Sequence, residues 1–230
     1  MTNEMEMNVE EMIELAASIE HTNLQPNATK EDIIKLCDEA KGYHFYGICV
    51  SPYFVQLAKK ELTGTAIKIV SVVGFPLGYS TVAAKVEEAK KAIISGADEV
   101  DMVLNINAFK SGDYATVQND IQAVTTVCHL QNKQVKVIIE TAYLTPEEID
   151  KACRICIDCE VDYVKTSTGY APQGATVEAV KLLRSILPAK IKIKASGGIK
   201  THDFAVELMK AGATKIGTSS SLNIIGVEQQ

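Results

Sequence analysis

The chain has 230 residues, 47% of them hydrophobic and 23% charged, and carries a net charge of −6 at pH 7. This length can bury one large core or two small ones, and the composition is that of an ordinary globular protein. The negative balance gives no electrostatic support to a nucleic-acid or anionic-membrane partner, and no apolar run approaches the roughly 18 residues of a membrane helix.

The stretch Met1 to Glu11 is acidic and lacks the apolar segment of a signal peptide, so the expected compartment is the cytoplasm. Val9 to Ala17 reads as a short leading helix, and Ile19 to Thr22 as a first strand closed by Asn23 and Pro26. Thr29 is placed to cap a helix from Lys30 to Lys41, in which Ile33, Ile34, Cys37 and Ala40 repeat at helical spacing and which Gly42 ends. A strand at Tyr46 to Val50 leads to Ser51-Pro52, which opens a helix to Leu62. Ala66 to Val73 is a β-branched strand, and Gly74-Phe75-Pro76-Leu77-Gly78 a loop. A helix from Ser80 or Thr81 to Ser95 stops at Gly96, then Glu99 to Leu104 is strand, Asp113 to Leu130 helix and Val135 to Glu140 strand. Thr145-Pro146-Glu147-Glu148 has the form of a capping box and starts a helix to Cys159. Strands at Tyr163 to Thr166, Lys190 to Ala195 and Lys215 to Gly217 alternate with helices at Ala175 to Leu187 and Thr201 to Ala211; Leu222 to Val227 reads as a last helical turn.

Eight strands joined through helices are most simply parallel, and parallel sheets need both faces covered. The pattern predicts a single (β/α)8 TIM barrel with a short N-terminal helix, one domain over residues 1–230, since no linker or low-complexity tract divides the chain. An open doubly wound sheet is the rival, but the Gly-rich dinucleotide turn after its first strand is absent.

In a barrel, alternate strand residues point inward. Lys190, Lys192 and Lys194 alternate with Ile191, Ile193 and Ala195; the apolar set belongs against the helices, so the lysines are expected to face the axis. Tyr163 shares a face with Lys165, Asp101 with Val103 and Asn105, and Lys136 with Ile138 and Glu140. If these are the inner faces, Asp101, Lys136, Glu140, Lys165 and Lys194 meet inside. The bland alternative is an ion-pair network that merely fills a polar barrel. Position favours function, because Lys165 and Lys194 fall at C-terminal strand ends, where sites of this fold assemble.

An ordinary lysine, with a pKa of about 10.4, is neutral less than about 0.1% of the time at pH 7. A second ammonium and desolvation push it toward the neutral, nucleophilic form. The expectation is that Lys194 activates Lys165 for imine formation, with Asp101 as proton shuttle through a water; a direct Asp101–Lys165 pair would work against activation. The turns Ser196-Gly197-Gly198 and Gly217-Thr218-Ser219-Ser220, with Gly169 as a third contributor, are placed to offer backbone N–H groups to a phosphate. The expected substrate is a small phosphorylated carbonyl compound.

Cys153, Cys156 and Cys159 have overlapping C-x-x-C spacings but no adjacent fourth ligand, and read as thiols along one helix. Cys49, at a strand end, reads as a buried structural thiol rather than a nucleophile. His21 reads as a packed strand residue, and His44, His129 and His202 as solvated; no His cluster suggests zinc.

Several segments together resemble the class I deoxyribose-phosphate aldolases: Glu20-His21-Thr22, Gly47-Ile48-Cys49-Val50, Gly74-Phe75-Pro76-Leu77-Gly78, Glu99-Val100-Asp101-Met102-Val103-Leu104-Asn105, Lys136-Val137-Ile138-Ile139-Glu140-Thr141, Val164-Lys165-Thr166-Ser167-Thr168-Gly169, Lys194-Ala195-Ser196-Gly197-Gly198-Ile199 and Gly217-Thr218-Ser219-Ser220. The resemblance implies a cofactor-free and metal-free, reversible cleavage of 2-deoxyribose 5-phosphate to acetaldehyde and glyceraldehyde 3-phosphate. Lys165 would form the Schiff base, Lys194 would tune it and Asp101 would relay protons, with Gly169, Gly197, Gly198, Gly217, Ser219 and Ser220 at the phosphate. The expected partner is a phosphorylated sugar, and a homo-oligomer, dimer or tetramer, is compatible. Three departures stand out. Tyr170 occupies a place where some members carry a lysine, Glu20 a place where aspartate is common, and the sequence ends Val227-Glu228-Gln229-Gln230 without a tyrosine that some members use in proton transfer. Water with Asp101 is then expected to supply that step. The rival functions are a class I aldolase for another sugar phosphate and a non-catalytic phosphometabolite-binding barrel.

Overall fold

Eight parallel strands form the inner wall of the molecule: β1 (Ile19–Asn23), β2 (Gly47–Val50), β3 (Lys68–Val73), β4 (Glu99–Val103), β5 (Gln134–Ile138), β6 (Tyr163–Lys165), β7 (Lys192–Ser196) and β8 (Lys215–Thr218). They pair in chain order, and β8 closes the barrel on β1 through Ile19↔Ile216 to His21↔Thr218. This is the computed structural model of the chain, which describes residues 9–227. The acidic stretch before Val9 and the terminal Glu228-Gln229-Gln230 lie outside the described residues.

The helices are α1 (Val9–Ala16), α2 (Lys30–Gly42), α3 (Val55–Glu61), α4 (Val82–Ser95), α5 (Ile106–Lys110), α6 (Tyr114–Leu130), α7 (Pro146–Asp158), α8 (Val177–Ile186), α9 (His202–Lys210) and α10 (Ser221–Ile224). None among the described residues is long and apolar enough to cross a membrane. Local chemistry sets most ends. Thr29 with Asp32 and Thr145 with Glu148 form complete capping boxes, so each threonine hydroxyl and each partner carboxylate takes up an end N–H group. Gly96 ends α4 with φ 117°, a conformation that costs an L side chain.

Four expectations need correction. Gly42 is the last helical residue rather than the stop, and the left-handed turn falls on His44 at φ 53°. Ser51 stands at the N-terminus of a 3-10 turn (Pro52–Phe54) without bonding it through its side chain. The helix α5 was not expected; Asn105 caps it by accepting the N–H of Ala108 at 3.1 Å, so Asn105 leaves the strand's face. Lys190 lies before β7 and is exposed rather than facing the axis.

Period two sorts the remaining strand residues. Val100 and Met102 of β4, Val135 and Val137 of β5, and Ile193 and Ala195 of β7 pack outward with the helices in one large core. Within the helical shell, Lys85 of α4 is fully buried: its Nζ donates to Asp120 of α6 at 2.5 Å and to the carbonyl of Val103, at the top of β4, at 2.8 Å. Burial pushes the Lys85 amine down and the Asp120 carboxyl up against their mutual attraction. Removing one partner strands the other charge in the core, so Asp120→Ala is expected to lower the unfolding free energy by about 3–5 kcal/mol. The paired change Lys85→Met with Asp120→Leu should return most of that loss in urea denaturation. A single-variant loss under about 1 kcal/mol, the range of a surface pair, would contradict this reading.

Candidate active site

The inward positions of five strands bring opposite charges into contact within the barrel. Strand register sets Lys165 of β6 directly beside Lys194 of β7, and Asp101 of β4 beside Lys136 of β5. One oxygen of Asp101, Oδ2, accepts from Lys165 Nζ at 2.8 Å and from Lys194 Nζ at 2.7 Å. The other, Oδ1, accepts from Lys136 Nζ at 2.9 Å. Lys136 reaches on to Glu99 at 2.5 Å and to Glu20 at 3.3 Å, and Glu20 also holds Lys194. Tyr46 donates to Glu99 below. Three carboxylates and three ammonium groups thus share a buried interior, where all six residues are no more than 2% exposed.

Burial alone works to raise the Asp101 carboxyl, yet Lys136, Lys165 and Lys194 outweigh it and hold Asp101 well below the usual carboxylate range. Burial likewise works to lower Lys194 and Lys136. Asp101 with Glu20 outweighs it at Lys194, and Asp101 with Glu20 and Glu99 at Lys136, so both stay cationic. Lys165 therefore lies against a fixed carboxylate, Asp101, and beside a fixed ammonium, Lys194. The expected spacing by a water is replaced by direct contact.

Above the cluster opens a cleft of about 450 Å³, in the range of small-molecule sites. Lys165 lies in its lining, and so do Gly169, Gly197, Gly198, Gly217, Ser219 and Ser220. Gly197 has φ 86° and lies against two other glycines: a Cβ there would meet the Cα of Gly174 at 3.0 Å and of Gly169 at 3.3 Å. Gly217 is different. It sits within β8, where a Cβ would come within 2.8 Å of Lys194 Cε, so its missing side chain makes room for that lysine. Ser220 already spends its N–H on Thr218 Oγ1 at 2.9 Å, which leaves its hydroxyl for the cleft. The ends of β6 and β7 are stitched together where Ser196 N–H donates to Thr166 Oγ1 and Ser196 Oγ to the Ser167 carbonyl.

A family model described as DeoC/LacD family aldolase matches residues 11–226. The deoxyribose-phosphate aldolase of Thermococcus kodakarensis is 53% identical over 214 residues, 92% of this chain and 96% of its own. That of Thermococcus gammatolerans is 52% identical over 215 residues, with 93% and 96% covered. The solved tetrameric structure of deoxyribose phosphate aldolase from Aeropyrum pernix superposes with a TM-score of 0.85 at 32% identity, covering 93% of this chain and 90% of that one.

The chain belongs to the DeoC/LacD aldolase family.

As an aldolase it is a carbon–carbon lyase, and several features of its site lay outside the expectations. Glu140 does not join the ion cluster. The strand β5 stops at Ile138, Glu140 takes φ 54°, and its carboxylate accepts the N–H and hydroxyl of Thr168. Glu20 and Glu99 are the partners that sequence reading missed; both lie on inward faces, but nothing in the alternation says which charges meet across the barrel. His21 bridges two elements, with Nε2 2.7 Å from Glu39 of α2 and Nδ1 2.8 Å from the Ser221 hydroxyl of α10. Cys49 is buried inside the barrel, its thiol pushed up to about 11 by burial despite the nearby Lys194. Cys153, Cys156 and Cys159 are free, buried thiols.

At the opposite, N-terminal mouth, Lys215 Nζ lies 3.1 Å from the centre of the Tyr46 ring, and Lys192 Nζ 5.6 Å from that of Tyr163. Burial lowers the Lys215 amine to about 8, with Lys192 and Lys136 acting the same way and Glu20 and Glu99 against. Competitive labelling with acetic anhydride across pH 6–11 should therefore give Lys215 a midpoint near 8. A midpoint above about 10, the ordinary lysine range, would contradict the burial of its charge.

Proposed function

We propose that this aldolase acts as a single barrel domain that reversibly cleaves 2-deoxy-D-ribose 5-phosphate to acetaldehyde and D-glyceraldehyde 3-phosphate through an imine on Lys165. The observation that carries the reading is placement: of the three clustered lysines Lys165 alone lines the cleft, directly beside the cation Lys194, with which it shares Asp101 Oδ2. The deoxyribose-phosphate aldolases among its relatives support the substrate.

Lys165, once neutral, adds to the C1 aldehyde of the open-chain sugar and gives a carbinolamine. Loss of water then forms the protonated imine. Removal of the C3 hydroxyl proton breaks the C2–C3 bond, releasing glyceraldehyde 3-phosphate and leaving an enamine on Lys165. Protonation of its terminal carbon and hydrolysis return acetaldehyde and the free amine. Asp101 Oδ2 touches Lys165 Nζ, so it can take and return protons there without rearrangement. Three surrounding ammonium groups stop it from keeping a proton. Lys194 keeps a fixed positive charge beside the reacting nitrogen, on the same Asp101 oxygen. The phosphate is assigned to the loops after β6, β7 and β8, which line the same cleft together with Lys35 and Lys200. A reducing, cytoplasmic setting is supported by six free thiols, and assembly into a homo-oligomer by the tetrameric relative.

The test is an aldehyde-release assay with deoxyribose 5-phosphate, with and without a chelator, joined to borohydride reduction in the presence of acetaldehyde. Turnover should be insensitive to the chelator, and the adduct mass should map to the peptide containing Lys165. Lys165→Ala should lose at least about a thousandfold in kcat, as removal of a covalent nucleophile does. Near-normal activity in that variant would overturn the assignment, and phosphate binding without an adduct would identify a binding protein instead.

A further inference from the structure

The mouth of the barrel has two unlike sides. The side over β6, β7 and β8 is polar and holds the glycine and serine turns. On the side of β2 and β3, Cys49, Val70 and Val72 face inward as a small apolar cluster separate from the helix-packed core, and Leu24 and Phe75 pack on top of it.

Tyr170 joins the two sides. Its N–H donates to Thr168 Oγ1 at 3.1 Å, and Thr168 lines the cleft with Lys165. Its ring meets Phe75 edge-on, with centroids 5.4 Å apart and planes at 88°. Its hydroxyl donates to the carbonyl of Leu24 at 2.8 Å. One side chain thereby ties the loops after β6, β1 and β3 across the opening, and it lines the same cleft as Lys165. At 49% exposure the ring is not a core residue, so truncating it removes the strap and leaves the barrel packed.

We propose, on the basis of the imine reading above, that Tyr170 is a specificity-determining residue: with Phe75 and Leu24 it closes the apolar side of the mouth and limits the donor aldehyde on Lys165 to two carbons. In the condensation direction, carbon 2 of the enamine must face the acceptor aldehyde, whose phosphate occupies the polar side. Any substituent on carbon 2, such as the methyl group that propanal brings, is driven toward Leu24, Phe75 and Tyr170. A packed aromatic wall excludes it by shape, and one methylene in such a pocket is discriminated by about tenfold or more.

The experiment compares acetaldehyde and propanal as donors to glyceraldehyde 3-phosphate in wild type, Tyr170→Ala and Tyr170→Phe. Tyr170→Ala is expected to raise the propanal-to-acetaldehyde ratio of kcat/KM about tenfold, and a rise under about threefold overturns the proposal. A general loss of stability lowers both donors together and leaves this ratio in place. Tyr170→Phe keeps the ring and should stay within about threefold of wild type; a tenfold rise there too would rule out the ring as the barrier. If borohydride traps no acetaldehyde on wild-type Lys165, it is the imine reading that fails. Trapping with a flat donor ratio defeats the role of Tyr170 alone.

Discussion

Three ammonium groups converge on one aspartate, and the rest of the site is arranged around that contact. Lys136 occupies Asp101 Oδ1, which leaves Oδ2 as the single atom that Lys165 and Lys194 both touch. In water such a pairing would be weak and loose. Buried in the barrel it is strong, and it is tolerable because Glu20 and Glu99 bring the count of carboxylates to that of the lysines. Each of these groups is held by a strand, so the geometry is fixed before any ligand arrives, as electrostatic catalysis requires.

The barrel's construction explains why this cluster sits where it can be used. Outward residues of β4, β5 and β7 pack on the helices, so the inner face of each strand is free to carry charge. Tyr46 closes on Glu99 beneath the cluster, and the cleft opens above it at the C-terminal strand ends. Of the three lysines, Lys165 alone lines that cleft. Lys136 and Lys194 are beneath it. That difference in access, more than charge, is the ground for proposing Lys165 rather than Lys136 or Lys194 as the nucleophile.

Much of this was legible in the sequence. The alternation of Lys192, Ile193, Lys194 and Ala195 marks an inner face, and the capping boxes at Thr29 and Thr145 mark helix starts. Side-chain reach was not legible. Alternation places Asp101 and Lys165 on the inner faces of the two strands that flank β5 but says nothing of whether their side chains span the gap, and they do so directly. Glu20 is long enough for a β1 residue to hold Lys194 with one oxygen while the other stays near Lys136. Glu140 fits the inward pattern of β5 by count, but the strand ends two residues earlier and a left-handed backbone turns it toward Thr168. The helix α5 is one turn long, too short for periodicity to reveal, although the N-capping asparagine before it was a usable signal.

The most direct test of the shared-oxygen account is a crystal structure of the protein after reduction with borohydride in the presence of acetaldehyde. The account requires an ethyl group joined to Lys165 Nζ, with Asp101 Oδ2 still within hydrogen-bond reach of that nitrogen and of Lys194 Nζ. An ethyl group on Lys194 or Lys136, or an Asp101 turned away from the modified nitrogen, would contradict it.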